Sequence, residues 1–339
     1  MAKQLYHGGA LDAAILQYGG NVDDWLDLST GINPNAYEID AINPLAWQQL
    51  PQKSALLALE NAAKLAYQCR DAHVAIGNGT QVFIENLPRL FAKSTIAICA
   101  PTYEEHAENW AKHGHKVELV NHVIDAQDAD HLLIVNPNNP TGKLYSPEQL
   151  LELHAHYQQK NGYLIIDEAF MDMTPKMSMS QYAGMDNLII LRSFGKFFGL
   201  AGVRVGFMLG CKKIIDVMQT HISLWAVSGA SVEIATKALQ NLEWQDKMRL
   251  TLKNDMQQMQ HILTDNGFNI IGTTDLFCLV SMPSKQYGAY KYFGKLAEQH
   301  ILTRKFNGDD EILRLGLVKA ASQSHLAAKL KQICLELCQ

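Results

Sequence analysis

Between Ile96 and Leu209 the chain alternates short apolar runs with stretches of helical pattern, and this alternation restricts the fold more than any other feature. The runs cover residues 96–100, 132–135, 163–166, 188–191 and 205–209. Each is strand-sized and almost wholly apolar, as a strand buried on both faces should be. Strands separated by helical segments need crossover connections, which lay them parallel in one sheet with helices against it. One helix start between two of these runs is explicit. Ser146 stands where an N-cap belongs, Pro147 at the first helical position and Gln149 at the capping-box position, and Leu150, Leu151 and Leu153 begin an apolar face.

Residues 228–265 read as helical and polar-rich, with Asn266 and Gly267 as the stop. Two shorter strand-like pieces (278–281 and 313–318) and a final helix from Ser324 complete the chain. The length of 339 residues accommodates two domains. The pattern predicts a large α/β domain with a mostly parallel central sheet over residues 40–235. A smaller α+β domain is expected from residues 1–39 and 236–339.

Charge narrows the partners. Lys and Arg number 29 and Asp and Glu 34, a formal net charge of −5. This gives no basic stripe for nucleic acid and no polybasic anchor for a membrane. No apolar run approaches the roughly 20 residues of a membrane span, and the first seven residues lack the apolar core of a secretion signal. The expectation is a soluble, cytoplasmic protein that takes a small-molecule partner. The six cysteines are scattered without a CxxC pair, which fits reduced thiols rather than a disulfide framework. His113 and His115, like His154 and His156, lie two apart and do not share a helix face. No zinc pattern is present, so no metal is expected.

Four polar clusters follow strand-like segments, where open α/β sheets bind ligands. The stretch from Asn136 to Gly142 holds two prolines and a glycine, a stiff turn able to fix a side-chain amide such as that of Asn139. Asp167 and Glu168 follow the run at 163–166. A carboxylate there needs a cation if buried, or it is a plain helix cap. Ser193 to Gly206 gathers a hydroxyl, Lys196 and Arg204 among glycines and aromatics. A lysine in such apolar surroundings can serve as an amine nucleophile, although a surface lysine laying its stem on apolar neighbours has the same sequence. Finally Gly77, Gly79, Thr80 and Gln81 precede a helical stretch at 82–91, either as an anion cradle or as an ordinary N-cap. Neither a Walker A loop nor a GxGxxG fingerprint occurs.

A nucleophilic lysine, a buried aspartate, a fixed asparagine and an anion cradle are the parts of a pyridoxal phosphate site. In these motifs and their order the chain resembles the fold-type I pyridoxal-phosphate enzymes of the aspartate aminotransferase superfamily. The resemblance implies that Lys196 binds the cofactor covalently and that Asp167 pairs with its protonated ring nitrogen. Tyr103 would stack on the ring and Asn139 would bond its 3′-oxygen. Gly79, Thr80, Gln81, Ser193 and Arg204 would hold the phosphate. Arg314 matches the arginine for the substrate carboxylate.

The N-terminal pair, His7-Gly8-Gly9 and Trp25 to Pro34, and the segment Leu302 to Phe306 resemble one branch in particular, the L-threonine-O-3-phosphate decarboxylases of cobalamin biosynthesis. That branch lies close to the histidinol-phosphate aminotransferases. It implies decarboxylation of a phosphorylated amino acid by a homodimer, with His7, Gly8, Gly31, Asn139, Arg304 and Arg314 around the substrate. The alternatives are a histidinol-phosphate-type aminotransferase and a non-enzymatic protein that has kept the fold. Two positions depart from the aminotransferase pattern. Phe170 stands where many members have a tyrosine that donates to the cofactor. Leu50 stands where the histidinol-phosphate enzymes have a tyrosine reaching the neighbouring subunit.

Overall fold

A computed structural model describes residues 8–284 and 286–337. Two compact units are present. The larger comprises Ala36–Asn139 and Lys143–Asp246. The smaller comprises the described residues up to Asn35, Pro140–Gly142, and those from Lys247 onward.

The larger unit is built on a seven-stranded sheet. Its strands lie in the order His73–Gly77, Gly206–Gly210, Leu188–Ser193, Leu164–Asp167, His131–Val135, Thr95–Cys99 and Lys116–Val120. Gly206–Gly210 runs antiparallel to both of its neighbours. The other pairings are parallel. His131–Val135 and Leu188–Ser193 are buried at every position, as strands of a sheet covered on both faces must be. On one face Phe83, Trp110, Ile98, Leu133, Ile165, Ile189 and Met208 pack into a single apolar cluster.

The five predicted runs are all strands, shifted at most two residues at an end. Two strands of this sheet escaped the reading, His73–Gly77 and Lys116–Val120, and both are its edges. An edge strand such as Lys-Val-Glu-Leu-Val is half exposed and carries charge, so it lacks the continuous apolar run of its central neighbours. The helix start at Ser146 forms as expected. Gln149 N donates to Ser146 Oγ and Ser146 N to Gln149 Oε1, closing the capping box on the helix Pro147–Gln159.

The stretch expected at 82–91 is not one helix. An α-helix over Gln81–Asn86 gives way to a 3₁₀ turn over Leu87–Leu90. Pro88 has no N–H to donate, and its ring clashes with the preceding turn. Likewise 228–265 divides into Gly229–Gln240 and Leu242–Asp265. Asn241 leaves the helical region (ψ 73°), and its side-chain oxygen accepts from Trp244 N at 3.0 Å, so it starts the second helix as it ends the first. Gly267 (φ +82°) provides the expected stop.

The smaller unit holds a four-stranded antiparallel sheet in the order Arg304–Phe306, Asp309–Gly316, Phe277–Ser281 and Asn269–Thr274. A two-residue parallel pair joins Leu26–Asp27 to Ile301–Leu302. Its helices are Leu11–Tyr18, the greater part of Leu242–Asp265, Ala289–Glu298 and Gln323–Leu337. The strand expected at 313–318 starts and ends earlier, at Asp309–Gly316. Among the described residues no helix is long and apolar enough to cross a membrane.

The capping box is a local test of this architecture. Ser146→Ala should lower unfolding stability by about 1 kcal/mol, read as a reduced midpoint in urea titration with an unchanged slope.

Candidate active site

Strand direction assembles the site. Leu164–Asp167, Leu188–Ser193, His131–Val135 and Thr95–Cys99 are parallel neighbours, so the segments after them emerge on one rim of the sheet. The edge strand His73–Gly77 points the same way, and antiparallel Gly206–Gly210 starts at that rim. A cavity of about 190 Å³ opens there. Its lining includes Gly79, Thr80, Gln81, Tyr103, Asn139, Asp167, Ser193, Lys196 and Arg204, each singled out from the sequence. Phe170 joins them, buried at 3% exposure.

Asp167 is the last residue of its strand and is 3% exposed. One carboxylate oxygen accepts from Ala169 N at 3.0 Å. The other lies 2.9 Å from Nε2 of His106, itself 1% exposed. An ionised carboxylate can only accept, so the Nε2 proton of His106 points at Asp167. Nδ1 of His106 is buried and has no hydrogen-bond partner among the described residues. The sequence reading missed His106. The available signal was its place on the helix Glu104–Lys112, three residues after Tyr103, where side chains share a helix face. The two rings meet edge to face at 6.0 Å between centroids.

Lys196 lies in the short helix Phe194–Phe197, with Ser193 as its N-cap residue. Its ammonium is 5.7 Å from the centroid of the Phe170 ring, an apolar and electron-rich surface. Tyr103 Oη donates to Gln81 Oε1 at 3.4 Å, joining two sides of the lining.

The asparagines of the stiff turn take different tasks. Asn136 is fully buried and binds both the N–H and the C=O of Tyr145, closing the loop. Asn138 accepts from Thr102 and donates to Pro101 O. Asn139 lines the cavity.

The glycine motif is tight. Gly79 has φ +75°, a conformation that disfavours a side chain. A Cβ there would lie 2.4 Å from Nη2 of Arg204, whose guanidinium therefore covers the Gly79 backbone. Arg204 is itself left-handed (φ +54°), and its Nη1 donates to Ala201 O at 3.2 Å. Gly206 is bare for the same reason, since a Cβ would fall 2.4 Å from both Gly79 C and Thr80 N.

The remaining candidates lie in the smaller unit. Arg304 and Arg314 are cross-strand partners in register. Arg314 is 7% exposed, and its Nη2 donates to Ser29 O at 2.7 Å. Burial, and then the charge of Arg304, push the Arg314 guanidinium below its usual pKa. Two like charges held this close favour an anion that answers both. Gly8 packs against the same Ser29 carbonyl, 2.3 Å from where its Cβ would be, and Gly9 N donates to Ser29 Oγ. Gly31 is buried two residues further on. Ser29 was not among the predicted residues, and His7 lies outside the described residues.

Comparison with known proteins shows the family. Residues 47–330 match the family profile described as aminotransferase class I and II. The chain is 38% identical over 340 residues to a threonine-phosphate decarboxylase of a Sinorhizobium species, covering 98% of this chain and 99% of that one. It is also 38% identical to the threonine-phosphate decarboxylase of Pseudomonas aeruginosa, over 92% and 93% of the two chains. Among solved structures, the histidinol-phosphate aminotransferase from Clostridium acetobutylicum superposes with a TM-score of 0.79 at 23% identity, covering 91% of this chain and 99% of that one. At that identity the likeness establishes the fold, which is the fold-type I architecture expected from the sequence.

The close approach at Gly206 offers a test that needs no relative. Gly206→Ala should lower stability by about 1–3 kcal/mol through overpacking, seen as an earlier unfolding midpoint, because its Cβ can be seated only by displacing the Gly79–Thr80 backbone.

Proposed function

The chain belongs to the aminotransferase class I and II family, and from that premise we propose that it decarboxylates L-threonine O-3-phosphate with pyridoxal phosphate. The product is (R)-1-amino-2-propanol O-2-phosphate, for cobalamin biosynthesis. The observation that carries the reading is 38% identity, across 98% of the chain, to a threonine-phosphate decarboxylase. The substrate is a small phosphorylated amino acid.

The cavity residues fit the cofactor. A backbone free of Cβ at Gly79, roofed by the Arg204 guanidinium, suits a phosphate, with Thr80, Gln81 and Ser193 beside it. Lys196 supplies an amine among apolar neighbours. Asp167 would face the ring nitrogen and favour its protonated form. Tyr103 offers a ring to stack on. Asn139 carries the 3′-oxygen contact that Phe170, lacking a hydroxyl, cannot make. Bound pyridoxal phosphate supplies the electron sink that accepts the charge left on Cα when one of its bonds breaks.

The protein's own residues then select which bond that is. His106 holds the Asp167 carboxylate by a directed N–H, so the ring partner cannot rotate away. Arg304 and Arg314 are assigned to the phosphate and carboxylate of the substrate, joined by His7, Gly8, Gly31 and Asn139. Holding both anionic groups fixes the orientation of Cα, and that orientation separates loss of carbon dioxide from loss of the Cα proton. A proton delivered to Cα completes the reaction. On this reading the enzyme is a homodimer. Exposed apolar side chains on the larger unit support it: Trp47, Leu50, Leu57, Leu224 and Trp225 are all more than half exposed, and Leu57, Leu224 and Trp225 line one groove.

Protein loaded with pyridoxal phosphate and given threonine phosphate should release carbon dioxide. Amino transfer from histidinol phosphate to a keto acid, with no carbon dioxide released, would instead establish the aminotransferase. Lys196→Ala should abolish the visible absorbance of bound cofactor, and an unchanged spectrum would assign the attachment to another lysine. Arg314→Met should weaken threonine phosphate binding by about 2–5 kcal/mol, measured as a raised KM.

A further inference from the structure

Behind the cavity, on the opposite face of the same strand ends, lies a buried charge cluster that the chemistry above does not use. Successive side chains of a strand point to opposite faces. Asp167 and Ser193 line the cavity, so Glu168 and Arg192 point away from it. Arg192 is 2% exposed and Glu168 is fully buried. Nη1 of Arg192 donates to Glu168 Oε2 at 2.8 Å and to Ser178 Oγ at 3.1 Å. Nη2 donates to Asp172 Oδ1 at 2.7 Å. The guanidinium also lies over the ring of Tyr67, 4.2 Å from its centroid. Glu168 accepts in addition from Met179 N at 2.7 Å and from the hydroxyls of Ser178 and Ser180. Burial alone would lower the pKa of Arg192, but Asp172 and Glu168 outweigh it, so the guanidinium stays charged.

Such a cluster does little for stability. Desolvating three charges costs about as much as their attraction returns, and apolar side chains of the same volume would pack as well. Its specific property is fixed geometry, and each partner is one or two residues from the cavity lining. Glu168 follows Asp167, and Arg192 precedes Ser193 and the Lys196 helix. Asp172 sits in the 3₁₀ turn Met171–Met173, directly after Phe170. The forked guanidinium thus ties together the three segments that present Asp167, Phe170 and Lys196.

We propose that Arg192 is a positioning residue, whose paired contacts to Glu168 and Asp172 set the separation of Asp167, Phe170 and Lys196 and with it the grip on pyridoxal phosphate. This rests on the reading of the cavity as that cofactor's site. The experiment titrates cofactor-free protein with pyridoxal phosphate, recording Kd and the visible circular dichroism induced in the bound cofactor. Parent, Arg192→Lys, Asp172→Ala and Asp172→Asn are compared. Lysine keeps the charge but cannot fork to two carboxylates, alanine releases the Phe170 segment, and asparagine keeps an acceptor at the same place. Arg192→Lys and Asp172→Ala should raise Kd by about tenfold, the scale for removing a supporting partner, and reduce the induced band. Asp172→Asn should restore both values to near those of the parent. Should Arg192→Lys fail to fold, the two Asp172 variants carry the comparison alone. Folded variants with a lowered melting temperature but parental Kd and induced band would overturn the proposal. So would equal loss in Asp172→Ala and Asp172→Asn. A parent that takes up no pyridoxal phosphate would overturn the cofactor reading itself, whereas parental behaviour in the variants would overturn only this one.

Discussion

A carboxylate held out of water at the end of a central strand is the constraint around which the larger unit is arranged. A carboxylate at 3% exposure, as at Asp167, is tolerable only where every oxygen finds a partner. The donors come from two directions. Ala169 N belongs to the turn that follows the strand, and His106 belongs to a helix placed by another strand of the sheet. The carboxylate thereby joins local turn geometry to the packing of a helix far away in sequence. The same two neighbouring strands bury Glu168 and Arg192 on the other face, so ionised groups sit on both sides of the sheet at one point along its strands. A central sheet carries such a load because its backbone is already fully hydrogen-bonded and its strands cannot slip without breaking apolar contacts.

Formal charge and working charge are separate quantities in this molecule. The chain is net −5, yet the features suited to an anion are a few placed cations. Arg204 lies over a bare glycine backbone. Arg304 and Arg314 face each other across paired strands. Arg192 is the contrasting case, a cation wholly answered by carboxylates of the same unit. A guanidinium with internal carboxylate partners is structural. On the proposed reading, one placed beside a second guanidinium or over bare backbone would meet an external anion.

The sheet was legible from sequence where burial is two-sided. Val135, Ile166, Leu191 and their neighbours form continuous apolar runs because helices cover both faces, and such runs need no tertiary knowledge to read. The edge Lys116–Val120 was not legible, since the charges of exposed Lys116 and half-buried Glu118 break the run. Local chemistry was read well where it is self-contained, as at the Ser146 cap and the Gly267 stop. It failed at Pro88 and Asn241, where a single residue divided a pattern that looked continuous. Three of the cavity-lining motifs were visible because each follows a strand read from the sequence, and the fourth, at Gly77–Gln81, was visible through its glycines although the strand before it was missed. His106 was not, because its partner is 61 residues away and only the fold brings the two together. The tie through Arg192 was hidden for the same reason, as nothing in the spacing of Glu168, Asp172 and Arg192 announces that they meet.

The facing pair of Arg304 and Arg314 has a consequence for selectivity. Two guanidiniums on adjacent strands repel, and an arriving dianion relieves that repulsion whatever the rest of its molecule looks like. Free inorganic phosphate presents the same charge and the same oxygens as the ester of an amino acid. On the proposed reading the pair would provide attraction without identity, and any compound bearing a phosphate would compete for it. On that reading, discrimination would come from the part of the ligand that phosphate lacks, the amine, which would take the place of Lys196 on the cofactor and so convert a promiscuous encounter into a committed one.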